Sequence, residues 1–388
     1  MSSHIPGFTS TGSKRPESLY GIAQPDGAPL RMVRASGCTV TGDDGRSYTD
    51  FIMALGAVAL GYAHPAVTAA VAQAAADGLV GPLAPVLEEQ VAAHLCRLLP
   101  PAEEVRFLKT GAEAVAAAIR IARAQTGRED VIGCGYHGWL DGTQEDGTCG
   151  VPPGISSLFA RIPFNDAEAA TARIRAAGDK LAAVIVEPVI EAAPSPEWLT
   201  ALRTETHRVG AVLIFDEIKT VGRVALNGAA GRWGGEPDLV VLGKAIANGM
   251  PLAAVAGHRD IMSAVTKTWI SSTLATEFAS LAAAEATLLE LERADVPAHL
   301  ERVGGMLLHG LHRIVGEFPA LLRRAVGLPA MCFLEFTTGD HGRDIVVGCA
   351  RRGLLFKRSA YNFVSLAHDE RAVAGALDVL QSVLRETR

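Results

Sequence analysis

Several things are scarce in this 388-residue chain. Aromatic residues make up only 5% of it, and the six cysteines, at positions 38, 96, 134, 149, 332 and 349, are scattered without a C-x-x-C pair. In a large chain without a leader the simplest reading is reduced thiols in the cytoplasm. No run of Lys and Arg exceeds two residues and the net charge is −6, so a nucleic-acid-binding role lacks electrostatic support. The longest apolar run, FIMALGAVALGYA from Phe51 to Ala63, has 13 residues and two glycines. A spanning helix needs about 20, so this run belongs to a core and no membrane role is expected. The first twenty residues hold no continuous apolar stretch, which excludes a recognisable secretory signal.

What is present describes a large globular protein. Apolar residues reach 49%, charged residues 20%, and mean hydropathy is +0.22, too apolar for a disordered chain. Forty glycines and twenty prolines are dispersed, so collagen-like and low-complexity readings fail. A chain of this size holds two or three domains at about 150 residues each and buries about three quarters of its unfolded surface.

Residues 1 to about 30 are polar and rich in Gly, Pro and Ser, and read as an irregular arm. VTGDDGRSYTD (40–50) sets β-branched flanks around Asp43-Asp44-Gly45, a hairpin signal. Helices are expected from His64 to Ala76 and from Pro85 to Leu99. An alternation then begins. EVRFLK (104–109), VIGCG (131–135), AAVIVE (182–187), AVLIFD (211–216) and DLVVLG (238–243) read as strands, LAAVAGH (252–258) is a further candidate, and helical segments at 112–125, 166–177 and 196–209 fall between them. Continuous apolar strands separated by helices predict an α/β domain with a mostly parallel, seven-stranded sheet covered on both faces. After Glu277 the pattern changes. Helices at about 278–292 and 297–316 precede strands at 330–336, 354–358 and 362–367, a helix at 344–352, and a last helix from about Asp369 to Arg385. The expected organisation is an arm and hairpin (1–45) contributing to the small domain or the active site, a large domain (46–295) and a smaller α+β domain (296–388).

Ligands of open α/β sheets bind beyond the carboxyl ends of the strands, so the residues following each strand carry the functional argument. The first strand ends at Thr110-Gly111-Ala112 before a helix, either an ordinary turn or an anion site made by free N–H groups and the helix dipole. The second ends at Tyr136-His137-Gly138-Trp139, aromatics that either cover a planar ligand or pack in the core. Glu187 and Asp216 end two apolar strands, where an unpaired carboxylate is costly to bury. Lys244 ends another and is followed by Ala-Ile-Ala, an environment that lowers a lysine's pKa and favours Schiff-base chemistry. An anion turn, an aromatic, a carboxylate and a lysine are the parts that pyridoxal 5′-phosphate requires.

These segments, in this order, resemble the class III aminotransferases of fold type I, nearest the glutamate-semialdehyde aminomutase branch. DDGRSYTDFIMALGAVALGYAHPAV, RFLKTGAEAVAAAIRIARAQTGRE, GYHGW, AAVIVEPV, LIFDEIKTVGR, GGEPDLVVLGKAIANGMPLAAVAGHRDIM, SSTLATEFASLAAAEATL and FVSLAHDERAVAGALDVL carry the likeness over nearly the whole chain. The resemblance implies a pyridoxal-phosphate enzyme and roles for individual residues. Lys244 matches the lysine that forms the Schiff base and shuttles the proton. Asp216 matches the partner of the pyridine nitrogen. Ile218 and Tyr136 match the residues on the two ring faces, with His137 beside them. Gly111 and Ala112 match the phosphate turn, Glu187 a glutamate beside the cofactor, and Thr273 a threonine offered to the phosphate by the neighbouring subunit of a homodimer with shared active sites.

The chain departs from the family pattern in places. It reads Lys109-Thr110-Gly111-Ala112 where N-S-G-T is common, Thr220-Val221-Gly222 for T-G-F, and Ala275-Thr276-Glu277 where the loop usually holds G-N-P. The stretch Lys357-Arg358-Ser359-Ala360-Tyr361-Asn362 does not reproduce the usual carboxylate-binding arginine pattern, and Ser13-Lys14-Arg15 in the arm is either another carboxylate grip or a solvated basic patch. Candidate substrate residues are Arg15, Trp139, Lys219 and Tyr361. The expected activity is transfer of an amino group from a small-molecule amine donor to a carbonyl acceptor. An aminomutase of glutamate-semialdehyde type and an amino-acid racemase or epimerase are the alternatives, because both use the same cofactor residues.

Overall fold

The structure, a computed structural model, describes residues 4–387. Its strands, in chain order, are β1 (Met32–Ser36), β2 (Thr39–Gly42), β3 (Ser47–Asp50), β4 (Glu104–Leu108), β5 (Asp130–Cys134), β6 (Phe159–Arg161), β7 (Leu181–Val186), β8 (Val212–Asp216), β9 (Leu239–Leu242), β10 (Ala253–Gly257), β11 (Leu322–Leu328), β12 (Met331–Phe336), β13 (Leu354–Leu355) and β14 (Asn362–Phe363). The chain divides into two compact units. One takes the residues up to His64 together with those from Val296 onward, and the other spans Pro65–Asp295.

The central unit is built on a seven-stranded sheet in the order β4-β10-β9-β8-β7-β5-β6. Strands β5 to β9 pair in parallel, and β10 runs antiparallel to both β9 and β4. The two reversals leave β4 running in the same direction as β9. Every residue of β7, β8, β9 and β10 is buried, which is why these segments read as continuous apolar runs rather than alternating ones. The Gly111–Thr126 helix lays Val115, Ala118, Ile119 and Ala122 on the cluster holding Ile185, Ile214 and Val241. A capping box starts this helix. Thr110 Oγ1 accepts from the Glu113 amide at 3.3 Å while Glu113 Oε2 accepts from the Thr110 amide at 2.8 Å. Gly127, in the left-handed region at φ 70°, ends it.

The sheet's seventh strand includes one that sequence patterning did not expose. Strand β6 has three residues, too few to display a period, and its Phe159 ring lies where a side chain on Gly133 of β5 would sit, 2.2 Å from an ideal Cβ.

The other unit holds two smaller sheets, β1-β2-β3-β13 and β11-β12-β14. The β2–β3 hairpin turns at Asp43–Arg46 as expected, with Asp44 Oδ1 accepting from the Arg46 amide at 3.0 Å. Strands β1 and β11 were not expected. Strand β1 is mostly exposed and β11 carries two exposed arginines, so neither presents an apolar run. Residues 46–64 also lie in this unit, not in the large domain where a boundary at residue 46 would put them. Long-range pairing decides this. The Thr49 amide donates to Gly353 O at 2.8 Å and the Phe51 amide to Leu355 O at 3.0 Å, and His368 Nε2 donates to Asp50 O at 3.1 Å. Among the described residues no helix is long and apolar enough to cross a membrane.

Ile185 lies on the fully buried central strand β7, within the core cluster. Truncation to alanine leaves a cavity that rigid neighbours on both faces cannot close. Ile185→Ala should lower unfolding free energy by about 2–5 kcal/mol, read as a fall in the denaturant midpoint with an unchanged slope.

Candidate active site

Strands β4, β5, β7, β8 and β9 run the same way, so their carboxyl ends share one edge of the sheet, the edge where open α/β sheets bind ligands. Each exit delivers a residue singled out above, and glycines let the exits touch. An ideal Cβ on Gly111 would come within 2.6 Å of Ile218 Cδ1, and one on Gly138 within 2.6 Å of the Ala112 Cβ. One on Gly135 would lie 2.5 Å from Glu187 Oε2, and one on Gly243 only 3.5 Å from Ile218 Cγ2. The structure thereby brings together Gly111, Ala112, Tyr136, His137, Glu187, Asp216, Ile218 and Lys244.

Two polar pairings organise the cluster. His137 Nδ1 lies 2.9 Å from Asp216 Oδ2, both groups buried. A carboxylate only accepts, so Nδ1 carries the proton and donates. The Ile218 amide donates to the other oxygen, Oδ1, at 3.3 Å. Among the described residues the buried His137 Nε2 has no hydrogen-bond partner. In the second pairing, Lys219 Nζ sits 2.9 Å from Glu187 Oε1, and the Tyr136 amide donates to Glu187 Oε2 at 2.8 Å. Lys219, expected as a substrate contact, is 7% exposed and engaged with Glu187.

Lys244 follows β9 directly, with its backbone in the left-handed region at φ 48°, a conformation that costs a non-glycine residue about 1 kcal/mol or more and clusters at functional sites. Burial pushes its amine down to about 8, and the nearby Lys219 ammonium adds to the effect. Glu187 and Asp216 oppose it, and Arg223 again lowers it. As a residue Lys244 is half-buried, and its amine is desolvated.

Sequence reading missed Glu217 and Arg223. Glu217 is buried, and accepts from the Thr220 hydroxyl, from the Ala229 amide at 2.9 Å and from the Ala230 amide at 2.7 Å. Burial raises its pKa, against those hydrogen bonds. Burial likewise brings the Arg223 guanidinium down to about 10. The signal available was the doublet Asp216-Glu217, whose second acid needs a partner if the strand end is buried. Tyr136, within the cluster through its amide, keeps 70% of its surface exposed. The remaining expected residues lie elsewhere. Trp139 is 73% exposed. Thr273 is exposed on the segment before the Phe278–Arg293 helix. Arg15 and Tyr361 belong to the other unit, Arg15 at the start of the Pro16–Tyr20 helix and Tyr361 with its ring edge-on to Phe333 at 5.6 Å.

A sheet of this order, with a buried lysine and carboxylate at its carboxyl edge, defines the fold type I pyridoxal-phosphate transferases. Residues 22–369 match the profile described as aminotransferase class-III, and the chain belongs to that family. It is 34% identical over 401 residues to a glutamate-1-semialdehyde 2,1-aminomutase of Roseiflexus castenholzii, covering 93% of this chain and 92% of that protein. Similar in structure are the FumI protein of Sphingopyxis sp. MTA144 in its pyridoxal-phosphate internal aldimine form (TM-score 0.92, 24% identity, 99% and 93% of the two chains) and a transaminase with pyridoxal phosphate bound (TM-score 0.89, 27% identity, 99% and 95%). A glutamate-1-semialdehyde aminomutase of Pseudomonas aeruginosa PAO1 also matches, with TM-score 0.82, 24% identity, and 98% and 96% coverage.

Class III aminotransferases use pyridoxal phosphate, and the residues here fit it. The amides of Gly111 and Ala112, the first of the Gly111–Thr126 helix, hold no hydrogen bond within the described residues, as expected for donors at a helix N-terminus. Gly138 leaves the space beside Ala112 that a Cβ would fill. The chain supplies a fixed carboxyl group in Asp216 and a desolvated amine in Lys244.

The lowered Lys244 pKa has a measurable sign. Between pH 8 and the ordinary lysine value of 10.5, the unfolded chain binds the extra proton, so stability rises with pH across that window. Lys244→Met abolishes this dependence. In cofactor-free protein the variant should be more stable than the parent at and below pH 8 by about 2–3 kcal/mol, with the gap closing toward pH 10.5. Denaturant titrations at a series of pH values measure it.

Proposed function

We propose that this chain catalyses pyridoxal-phosphate-dependent transfer of an amino group between a small amine donor and a carbonyl compound, with Lys244 and Asp216 as the catalytic residues. The observation that carries the reading is the desolvated Lys244 amine on the same sheet edge as the buried Asp216–His137 pair. The bound cofactor supplies a carbon electrophile and an electron-withdrawing ring. The free amides of Gly111 and Ala112 bind its phosphate, reinforced by the helix dipole. Asp216, oriented by His137, holds a proton on the ring nitrogen. Ile218 and Tyr136 would hold the cofactor ring. An amine with a pKa near 8 carries a far larger neutral fraction near neutral pH than an ordinary lysine, and it regains a proton readily. That suits Lys244 to move the proton at the substrate's Cα, and its amine would hold the cofactor when it is bound. Glu187 holds Lys219 and the Tyr136 backbone in place beside it.

A homodimer with shared active sites accounts for the exposure of Tyr136, Trp139 and Thr273, because Thr273 would then reach the phosphate bound by the neighbouring copy. Trp139 is the substrate contact this reading favours. All six cysteines are free, in keeping with a cytoplasmic enzyme. The aminomutase alternative is supported by the 34% identity to a glutamate-1-semialdehyde 2,1-aminomutase over 93% of the chain.

The test is the absorbance of cofactor-loaded protein during titration with a panel of amines. Conversion to the pyridoxamine form with release of a stoichiometric keto product establishes transfer. Return of the cofactor to its starting form without net keto product supports the mutase. Lys244→Ala should lose the lysine-dependent absorbance band and about 10²–10⁴-fold in rate; turnover at the parent rate would remove Lys244 from its role.

A further inference from the structure

Two positions at which this chain departs from the family pattern meet in space. Lys109 opens the phosphate turn, and Glu277 closes the segment that carries Thr273. Their side chains form an ion pair, Nζ to Oε1 at 2.7 Å, each only 14% exposed. Burial of this degree screens the pair far less than a surface bridge, so it carries energy that exposed pairs do not. Both members are also anchored locally. The Lys109 amide donates to Glu113 Oε2 at 3.2 Å, the same oxygen that completes the capping box of the phosphate-turn helix. Glu277 caps the Phe278–Arg293 helix, with Oε2 accepting from the Ala279 amide at 2.7 Å and Oε1 from the Ser280 amide at 3.0 Å. Burial alone would push its carboxyl group up, but Lys109 and Ser280 outweigh it and hold it below the usual range. At the other end of the segment, the Arg106 guanidinium donates to Ile270 O. Arg106 of β4 and Lys109, the residue just after that strand, therefore grip Ile270 and Glu277, and Thr273 stands exposed between the two grips.

We infer that Arg106, Lys109 and Glu277 form a bracket that sets the Ile270–Glu277 segment on the phosphate turn, so that the presentation of Thr273 and the grip on the cofactor phosphate are coupled. These are positioning residues that act through the Gly111–Ala112 amides and through Thr273. The inference rests on the reading that those amides bind the phosphate. It gives the two departures one shared purpose: a charged pair ties together two segments whose usual polar residues this chain lacks.

The experiment measures the pyridoxal-phosphate Kd of the full-length protein, followed by the Lys244-dependent absorbance band, for the parent, Lys109→Gln, Glu277→Gln, the double Gln variant and the charge swap Lys109→Glu/Glu277→Lys. Hydrogen exchange of residues 270–277 in the loaded proteins is read alongside. Each single variant should raise Kd on the order of tenfold and speed exchange in 270–277. The double Gln variant should be no worse than either single one, since the pair is already broken, and the swap should recover part of the loss. Kd values within twofold of the parent, additive single effects, or a lowered melting temperature of the cofactor-free protein with unchanged Kd would each overturn the bracket. A parent protein with no lysine-dependent band would instead overturn the cofactor reading beneath it.

Discussion

An amine withdrawn from water is the constraint on which this structure depends. Lys244 lies at the end of a strand buried on both faces, and burial lowers the affinity of its nitrogen for a proton. That effect requires the flanking strands β8 and β10 to be wholly buried as well, and it brings a left-handed backbone conformation at the lysine. The other charges of the site are then arranged so that none is left alone in the same low-dielectric region. Lys219 is matched by Glu187, Asp216 by His137, and Glu217 by two amides and a hydroxyl. A buried charge without a partner costs several kcal/mol, so these pairings are as much a condition of folding as of chemistry.

The same logic extends to the phosphate turn. A helix N-terminus offers amides and a partial positive charge, and the capping box fixes Thr110 and Glu113 so that the first two amides of the helix stay free. Small residues then allow close approach. Gly138 fits against Ala112, and Gly111 against Ile218, at distances that no Cβ would tolerate. The absence of a hydroxyl at Ala112 leaves the backbone donors of the turn untouched. Lys109 and Glu277, 168 residues apart in the chain, join this turn to the segment before the Phe278–Arg293 helix through a single short ion pair.

Much of this was legible in the residues. Buried strands appear as apolar runs because both of their faces are covered, so β5, β7, β8, β9 and β10 were each readable, as were β4, buried only at Phe107 and Leu108, and the helices between them. What failed to show were elements without a period or an apolar run: β6 with three residues, β1 on an exposed edge and β11 with its outward arginines. Residues 46–64 were misassigned for a related reason. Their apolar run looks the same whichever core it enters, and the choice is made by pairing with Gly353 and Leu355, some 300 residues away.

The sequence by itself determined the class of fold and placed Lys244, Asp216 and the Gly111–Ala112 turn at strand ends, which in a parallel sheet converge on one edge whatever the details of packing. Only the tertiary structure decided how the charges pair. It gave Lys219 to Glu187, Asp216 to His137 and Lys109 to Glu277, and it buried Glu217 and Arg223. Pairing of that kind depends on which side chains meet across elements far apart in the chain, at distances of about 3 Å, and no local pattern of residues encodes it.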